Sequence, residues 1–325
     1  MKRLDHYWYS VNLISLMLLP LSGLFCLLSS VRRILFKLHF LSSYKAPLPV
    51  IVVGNITVGG TGKTPLIIEL TKVLQSKGKR PGIISRGYGG KAQSWPQIVS
   101  DSTNAKLVGD EPQLIFQTTK CPVVVGPDRQ QDIETLIEQF DCDVILSDDG
   151  LQHYKMKRDI EIAVIDAKRM FGNGLCLPSG PLRERRSRLK QVDIILYNGG
   201  DDNQSAFSLQ ATDCQPVDSV NLKPVGLNYF SGKTVHAIAG IGNPDRFFTM
   251  LENSGITVIK HAFSDHHDFN NDDLDFADNL PVLMTEKDAI KCNRYKLSNH
   301  WSVPVQVVLT LKAKTELQSI LNKIT

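Results

Sequence analysis

Residues 52–70, VVGNITVGGTGKTPLIIEL, contain the groups of a phosphate-binding loop. Apolar runs on both sides of the glycines predict a strand, a loop and a helix, and such a loop curls backbone N–H groups around an oxyanion. Lys63 can reach the outer phosphates of a nucleotide, and Thr64 can ligate Mg²⁺. The residues expected to hold the nucleotide are Gly59, Gly60, Thr61, Gly62, Lys63 and Thr64.

The match to the common pattern GxxxxGK(S/T) is partial, because Thr57 occupies the place of the first glycine. A glycine-rich connecting turn is the alternative interpretation. The strand and the helix predicted on either side favour phosphate binding, because the pattern carries its meaning in that context.

A second group that could do chemistry lies in the segment VILSDDG, where an apolar strand ends in Asp148 and Asp149. This is the position and residue type of a Walker B carboxylate, which holds Mg²⁺ directly or through water. A solvated turn at a strand end is the alternative, and two adjacent acids in a chain with a phosphate loop make it the weaker one. Which of the two is the direct ligand stays open.

Two further segments carry titratable side chains at adjacent positions. VGDEPQLI sets Asp110 and Glu111 at the start of a predicted helix, where the helix dipole favours acids even without a catalytic role. FSDHHDF places His266 and His267 between two aspartates. Adjacent residues rarely share one metal ion, so an acid–base role between domains is favoured over a metal site.

Arginines are candidate phosphate clamps, because a guanidinium pairs bidentately with phosphoryl oxygens. Arg129, at a strand end on the expected active edge of the sheet, is the preferred candidate, and Arg86 is another. A cluster after LPSGP is expected to face lipid headgroups or an anionic substrate. Its members are Arg183, Arg185, Arg186 and Arg188.

Regularly spaced apolar runs predict the elements that position these groups. CPVVVGPDR, CDVILSDDG, IEIAVIDA and VDIILYNGG are continuous enough to be buried parallel strands, and helical stretches separate some of them. We predict an α/β fold with a P-loop NTPase-like, doubly wound, mostly parallel sheet. A polar stretch at 201–222 precedes a second, smaller α/β domain. The predicted parts of the chain are an N-terminal hydrophobic helix at 1–31, the P-loop domain at 32–222 and the smaller domain at 223–325, which closes over the active site.

Composition narrows the class of protein. A chain of 325 residues, 42% hydrophobic, suggests about two domains. A net charge of +4 without a basic run among aromatics gives no reason to expect a nucleic-acid partner. The six cysteines have scattered spacings that suit neither a disulfide framework nor a zinc site, which predicts a reducing compartment.

No charged residue occurs from Tyr7 to Val31, a length sufficient to cross about 30 Å of hydrocarbon as a helix. A cleaved signal peptide is disfavoured, because a nucleotide loop that needs cytosolic ATP follows. Basic residues are more frequent after the segment than before it, where only Lys2 and Arg3 stand, which favours a cytoplasmic location for the bulk of the chain. Pro20 leaves open a bent helix that only dips into one leaflet.

Together these strings closely resemble the tetraacyldisaccharide 4'-kinase family, the lipid A kinases of Gram-negative bacteria, over nearly the whole chain. The strings are GNITVGGTGKTP, SRGYGG, GDEP, DDGLQHY, FGNGLCLPSGPLRE, DHH and MTEKDAIKC. The resemblance implies transfer of the γ-phosphate of ATP to the 4'-hydroxyl of a tetraacylated, 1-phosphorylated glucosamine disaccharide. It also implies the cytoplasmic face of the inner membrane, an anionic lipid substrate and no obligate protein partner.

The resemblance also implies roles for individual residues. Asp110 acts as the base with His266 as its partner, and Lys63 and Arg129 act on the transferring phosphate. The implied metal ligands are Thr64, Glu111, Asp148 and Asp149. His266 and His267 remain alternatives for the partner of Asp110.

Two other classes of protein compete with a kinase. A membrane-tethered GTPase switch would select guanine with NKxD, but the nearest string, TEKD at 285–288, has its lysine one place late. A non-catalytic nucleotide-binding scaffold would not need Asp110, Arg129 and the Asp148–Asp149 pair together on one sheet edge. The motif Gly240-x-Gly242 lacks the third glycine of a dinucleotide-binding loop.

Overall fold

A computed structural model of the chain describes residues 7–217, 222–295 and 297–324. Lys2 and Arg3, used above to orient the N-terminal segment, lie outside the described residues, and so do residues 218–221 of the predicted domain boundary.

The described residues form α-helices and β-strands that alternate through most of the chain. The helices are α1 Leu13–Met17, α2 Leu19–Lys37, α3 Lys63–Ser76, α4 Ala105–Val108, α5 Asp110–Thr119, α6 Arg129–Gln139, α7 Pro244–Asn253, α8 Glu286–Cys292 and α9 Leu311–Leu321. The strands are β1 Val50–Gly54, β2 Pro81–Ser85, β3 Gln97–Ile98, β4 Val123–Val125, β5 Val144–Asp148, β6 Ile160–Asp166, β7 Ile194–Asn198, β8 Ala206–Ala211, β9 Gln215–Pro216, β10 Thr234–Ala239, β11 Thr257–Ala262, β12 Val282–Thr285, β13 His300–Val303 and β14 Val305–Leu309.

The larger sheet has nine strands in the order β14-β8-β7-β6-β1-β5-β2-β4-β3. Among the described residues, only its edge pairs, β14 with β8 and β3 with β4, are antiparallel. Buried apolar side chains of α3 and α5 cover one face and those of α6 the other, which is why the central strands are apolar on both faces. In β1 and β5, Val53 pairs with Asp148, so the loop after β1 and the acids after β5 share one sheet edge.

The smaller sheet has five strands in the order β11-β10-β12-β13-β9. The first four are parallel, and β9 pairs antiparallel with β13. Helix α7 packs Phe247, Phe248 and Leu251 into a core that also contains Phe230 and Trp301. We call the part built on this sheet the smaller domain and the part built on the nine-stranded sheet the larger domain.

The C-terminal segment differs from the sequence-based expectation. Strand β14 pairs with β8 of the larger sheet, from Val305 opposite Ala211 to Leu309 opposite Phe207. Helix α9 then buries Leu317 in the core of the larger domain. Residues from 305 onward, predicted to belong to the smaller domain, therefore return to the larger one; the rest of the predicted division stays a prediction.

The apolar N-terminal segment forms two helices, α1 and α2, which meet at Leu18 just before Pro20. Helix α2 has 19 residues and a mean hydropathy of 1.5, so its length and composition allow it to cross a membrane. It continues six residues beyond the predicted end at 31. Its Cys26 pairs with Cys176 of the larger domain, a contact that the scattered cysteine spacings did not predict.

Candidate active site

The phosphate-binding loop joins β1 to α3 and is held by the neighbouring strand β7. Asn198 of β7 donates from Nδ2 to the carbonyl oxygen of Thr61 at 2.9 Å. Gly62 has a φ of 96°, and a Cβ there would lie 2.3 Å from the same Nδ2 atom. Only glycine fits this position, both because φ is positive and because the loop and Asn198 approach so closely.

Lys63 begins α3 and turns toward the acids at the end of β5. Its Nζ donates to Asn55 Oδ1 at 3.2 Å and lies 3.6 Å from Asp149 Oδ1. The structure therefore places the predicted phosphate-binding lysine beside one predicted metal ligand. Asn55, which the motif analysis did not single out, orients Lys63 from the start of the loop.

The two acids after β5 differ in environment. Asp148 is buried, accepts from Ser85 Oγ at 3.3 Å, and has its pKa raised by burial to about 6. Burial also opposes ionisation of Asp149, but the positive charges of Lys63 and Arg183 hold its pKa below the ordinary value. Asp149 adopts a φ of 49°, unusual for a residue other than glycine. The Oδ1 atoms of Asp148 and Asp149 are buried without a hydrogen-bond partner among the described residues.

Arg129 lies beneath this turn. It is 3% exposed and donates to Asp132 Oδ2 and to the carbonyl oxygen of Asp148, both at 3.1 Å. Burial lowers its pKa, and the nearby acids counteract this. In this structure the guanidinium supports the Asp148 backbone, so its predicted contact with phosphate stays a prediction.

The arginine cluster at 183–188 does not share one environment. Arg188 is buried and donates to Glu161 Oε1 at 2.6 Å, so the expectation that it faces lipid or substrate is wrong. Arg183 donates to Asp149 Oδ2 at 2.8 Å and belongs to the site. Arg185 and Arg186 are exposed.

The acid–histidine pair brings the two domains together. Asp110 is buried at the start of α5, and its Oδ2 lies 3.1 Å from Nδ1 of His266 in the loop after β11. Hydrogen bonding to Asp110 raises the pKa of His266. Burial opposes ionisation of Asp110, but the His266 hydrogen bond and nearby lysines lower its pKa. His267 instead contacts Asp273 at 2.9 Å, so the structure brings His266 rather than His267 to Asp110.

Lys287, at the first turn of α8, is a site residue that sequence reasoning missed. Its Nζ lies 2.5 Å from Glu111 Oε1 and 3.1 Å from Asp265 Oδ1. Burial disfavours the charged form, but these two carboxylates raise its pKa above the ordinary value. Its position in the string MTEKDAIKC is the sequence signal that points to it.

One cavity of about 1260 Å³ joins most of these groups. It is lined by the whole loop from Gly59 to Thr64, and by Glu111, Arg129, Asp148, Asp149 and His266. Asp110 contacts the cavity-lining His266 through its Oδ2 atom. Phe25 and Leu28 of α2 and Met250 of α7 also line the cavity, which therefore extends from the phosphate loop to the apolar N-terminal helix.

The doubly wound sheet carries a phosphate loop with a lysine, acids at a strand end and an acid–histidine pair, all around one cavity. This combination defines a P-loop phosphotransferase. A family model for tetraacyldisaccharide-1-P 4'-kinase matches residues 14–325. The chain belongs to this family.

Individual relatives agree with the family match. The chain is 48% identical over 318 residues to the tetraacyldisaccharide 4'-kinase of Nitrosococcus oceani, covering 98% of this chain and 94% of that protein. It is 50% identical over 307 residues to that of Actinobacillus succinogenes, covering 94% of each. A crystal structure of the "apo" form of LpxK from Aquifex aeolicus in complex with ATP has a TM-score of 0.78 at 29% identity, covering 96% of this chain and 99% of that chain.

These matches confirm the predicted family, the α/β fold and the assignment as a kinase, a phosphotransferase with an alcohol acceptor. They favour neither the GTPase switch nor the non-catalytic scaffold.

Proposed function

We propose that this kinase transfers the γ-phosphate of ATP to the 4'-hydroxyl of tetraacyldisaccharide 1-phosphate, with Mg²⁺, at the cytoplasmic face of the inner membrane. The observation that carries the proposal is one cavity lined both by Lys63 and by Phe25 and Leu28 of the apolar helix. A substrate with a phosphorylated sugar and acyl chains needs polar and apolar walls in one site.

ATP binding is supported by the loop geometry and by the ATP complex of the Aquifex aeolicus relative. The backbone of residues 59–62 is placed to hold phosphate oxygens at the start of α3, where the helix dipole favours anions. Asn55 and Asp149 orient the ammonium group of Lys63 at the loop. In this proposal the ammonium group contacts the β- and γ-phosphates of ATP.

Magnesium fits the acids at the end of β5. The buried Oδ1 atom of Asp148 has no hydrogen-bond partner among the described residues, and Asp149 Oδ1 has Lys63 Nζ at 3.6 Å. With the Thr64 hydroxyl, which lines the same cavity, they form an all-oxygen donor set, which Mg²⁺ prefers. Glu111 is already paired with the Lys287 ammonium, so we place the ion at Thr64, Asp148 and Asp149 with Glu111 as an outer member. When bound, Mg²⁺ neutralises charge on the β- and γ-phosphate oxygens.

Asp110 and His266 act on the acceptor hydroxyl in this proposal. A carboxylate within hydrogen-bond reach can orient a sugar hydroxyl and accept its proton late in a loose transition state. Asp110 stands one residue before the cavity-lining Glu111, and His266 holds its Oδ2 atom. Arg129 contributes by holding the Asp148 backbone and placing positive charge beneath the phosphates.

The contacts of α2 favour a helix that lies in one leaflet over one that spans the bilayer. Its small, polar side faces the larger domain: Ser22 Oγ donates to the carbonyl oxygen of Cys176 at 2.8 Å, and Arg33 lies 4.0 Å from Glu184. Its leucines face outward, with Leu24 53% and Leu27 58% exposed. A helix attached to the protein along its polar side can insert only its apolar side, which is the pattern of an interfacial anchor.

Transfer of label from γ-labelled ATP to lipid tests the proposal. The full-length protein is incubated in mixed micelles with the disaccharide 1-phosphate lipid or with its 4'-deoxy analogue. We expect label only in the lipid that has a 4'-hydroxyl, and loss of labelling by orders of magnitude in Lys63→Ala. Equal labelling of both lipids, or undiminished transfer by Lys63→Ala, would overturn the proposal.

A further inference from the structure

Lys287 of the smaller domain contacts both His266 and, in the larger domain, Glu111. Beyond its contacts with Glu111 and Asp265, its Nζ lies 3.4 Å from Nε2 of His266. The side chain is 13% exposed, so water competes little for the ammonium group. The Lys287 Nζ atom, which carries three hydrogens, is thus surrounded by two carboxylate oxygens and the Nε2 nitrogen of His266.

The chemistry of the ammonium group decides the direction of these contacts. A lysine ammonium has three N–H donors and no acceptor, so each neighbour must present a lone pair. Glu111 and Asp265 do so as carboxylates. His266 can accept at Nε2 only if that nitrogen is unprotonated, and the neutral ring then carries its hydrogen on Nδ1, 3.1 Å from Asp110 Oδ2.

We propose that Lys287 is a positioning residue that holds His266 in the Nδ1–H tautomer and so directs this N–H to Asp110. The inference rests on the proposed role of Asp110 as acceptor of the hydroxyl proton. It also assigns the roles within the pair. The Nε2 lone pair of His266 is occupied by Lys287 and its Nδ1–H by Asp110, so the carboxylate rather than the imidazole receives the proton.

The other groups around His266 do not select this tautomer. Asp265 Oδ1 and Glu111 Oε1 lie 3.8 Å and 3.6 Å from Nε2, and as acceptors they would favour a hydrogen on that nitrogen. The Tyr88 ring packs 5.3 Å from the imidazole, centre to centre. Lys291 approaches Asp110 at 3.9 Å and not the ring. Without Lys287, two carboxylates would therefore face Nε2 and pull the hydrogen to it.

A matched control separates this role from simple pairing between domains. Lys106 of α4 lies 2.7 Å from Asp268 of the smaller domain, so it also links the two domains, but it does not touch His266. Lys106→Met removes one interdomain ion pair and leaves the imidazole contacts in place. Lys287→Met removes the interdomain ion pair with Glu111, the ion pair with Asp265 and the donor to Nε2 together.

The experiment reads the tautomer directly. Full-length protein labelled with ¹⁵N-histidine is studied in detergent micelles at about pH 9, where histidine is neutral, and His266→Gln assigns the signal. We expect a protonated Nδ1 and an unprotonated Nε2 in the wild type and in Lys106→Met, and an Nε2–H or mixed pattern in Lys287→Met. With tautomer control lost, kcat should fall about 10- to 100-fold in Lys287→Met, with little change in KM for ATP.

A wild-type tautomer pattern in Lys287→Met would overturn the inference whatever its activity. An equal fall of kcat in Lys106→Met would also overturn it, because domain pairing alone would then explain the effect. Full activity of Asp110→Asn would overturn the proposed role of Asp110 and leave the tautomer result readable. If the apolar side chain prevents folding, Lys287→Ser, whose hydroxyl is too short to reach His266, gives the same two readouts.

Discussion

His266 Nδ1 lies 3.1 Å from Asp110 Oδ2, although 156 residues separate the two and they belong to different domains. The pair exists only because the loop after β11 of the smaller domain reaches the start of α5 in the larger one. Other links between the domains include Arg246, which binds Asp166 at 2.8 Å, and Arg169, which donates to the Gly242 carbonyl oxygen at 2.8 Å. The closed arrangement of the domains is thus part of the site.

Loss of either member of the pair should have non-additive effects. Asp110→Asn should cut kcat severely with little loss of ATP affinity, and His266→Ala should cut it less. The double variant should be little worse than Asp110→Asn, because groups that act as a unit are strongly non-additive. Steady-state kinetics of all three variants checks this; effects that multiply would contradict a joint role.

The same pair should also produce a defined pH dependence of stability. The pKa of His266 is raised above 6.5, so its contribution is present below that value and is lost as pH rises through the raised pKa. The pKa of Asp110 is lowered below 3.8, so its contribution is lost as pH falls through the lowered pKa. The difference in melting temperature between the wild type and His266→Ala should therefore be largest between pH 3.8 and pH 6.5, and it should shrink at lower and at higher pH.

Asp148→Asn should stabilise the metal-free protein. Burial raises the folded-state pKa of Asp148 from 3.8 to about 6, so ionisation opposes folding as pH rises through this range. Thermal unfolding in EDTA should show the advantage of asparagine in full above about pH 6 and none below its unfolded value. Added Mg²⁺ should stabilise the wild type more than the variant. A variant that is less stable at high pH and equally responsive to Mg²⁺ would argue against this site.

Polar substitution of the outward face of α2 should release the protein from membranes. Leu21, Leu24 and Leu27 are more than half exposed, and each buried leucine contributes about 1.5–3 kcal/mol to partition into an apolar phase. The triple change to serine should shift the protein to the soluble fraction in vesicle flotation at high salt. Leu311→Ser, at an exposed leucine of α9, should float like the wild type. Full flotation of the triple variant would place the main anchor elsewhere.

Arg188→Met should destabilise the larger domain. The guanidinium is 2% exposed and bonds Glu161 and the Tyr154 hydroxyl, so its removal leaves buried polar groups without a partner. We expect a loss of about 3 kcal/mol in the free energy of unfolding. Arg186→Met, at an exposed site above Phe171, should cost less than about 1 kcal/mol. Urea unfolding followed by fluorescence compares the two, and equal losses would contradict the assignment of Arg188 as structural.

Local patterns predicted the parts of the site that depend on neighbours in sequence. The strand–loop–helix of residues 50–76 and the acids after β5 follow from apolar runs, glycines and residue types within a few positions. Features that depend on contacts between residues far apart in the chain could not be predicted from the sequence. The apolar run of β14 carries no mark of which sheet it joins, and the burial of Arg188 or the reach of Lys287 depends on partners far away in the chain.

The central claim is that one cavity brings ATP and a membrane-held sugar hydroxyl together. The most direct test is the ³¹P spectrum of the lipid product formed from ATP, with the new phosphate correlated to the sugar proton it couples to. We predict a phosphomonoester coupled to the proton on carbon 4' of the lipid. A phosphate at another hydroxyl, or ATP consumed to inorganic phosphate with the lipid unchanged, would contradict the account.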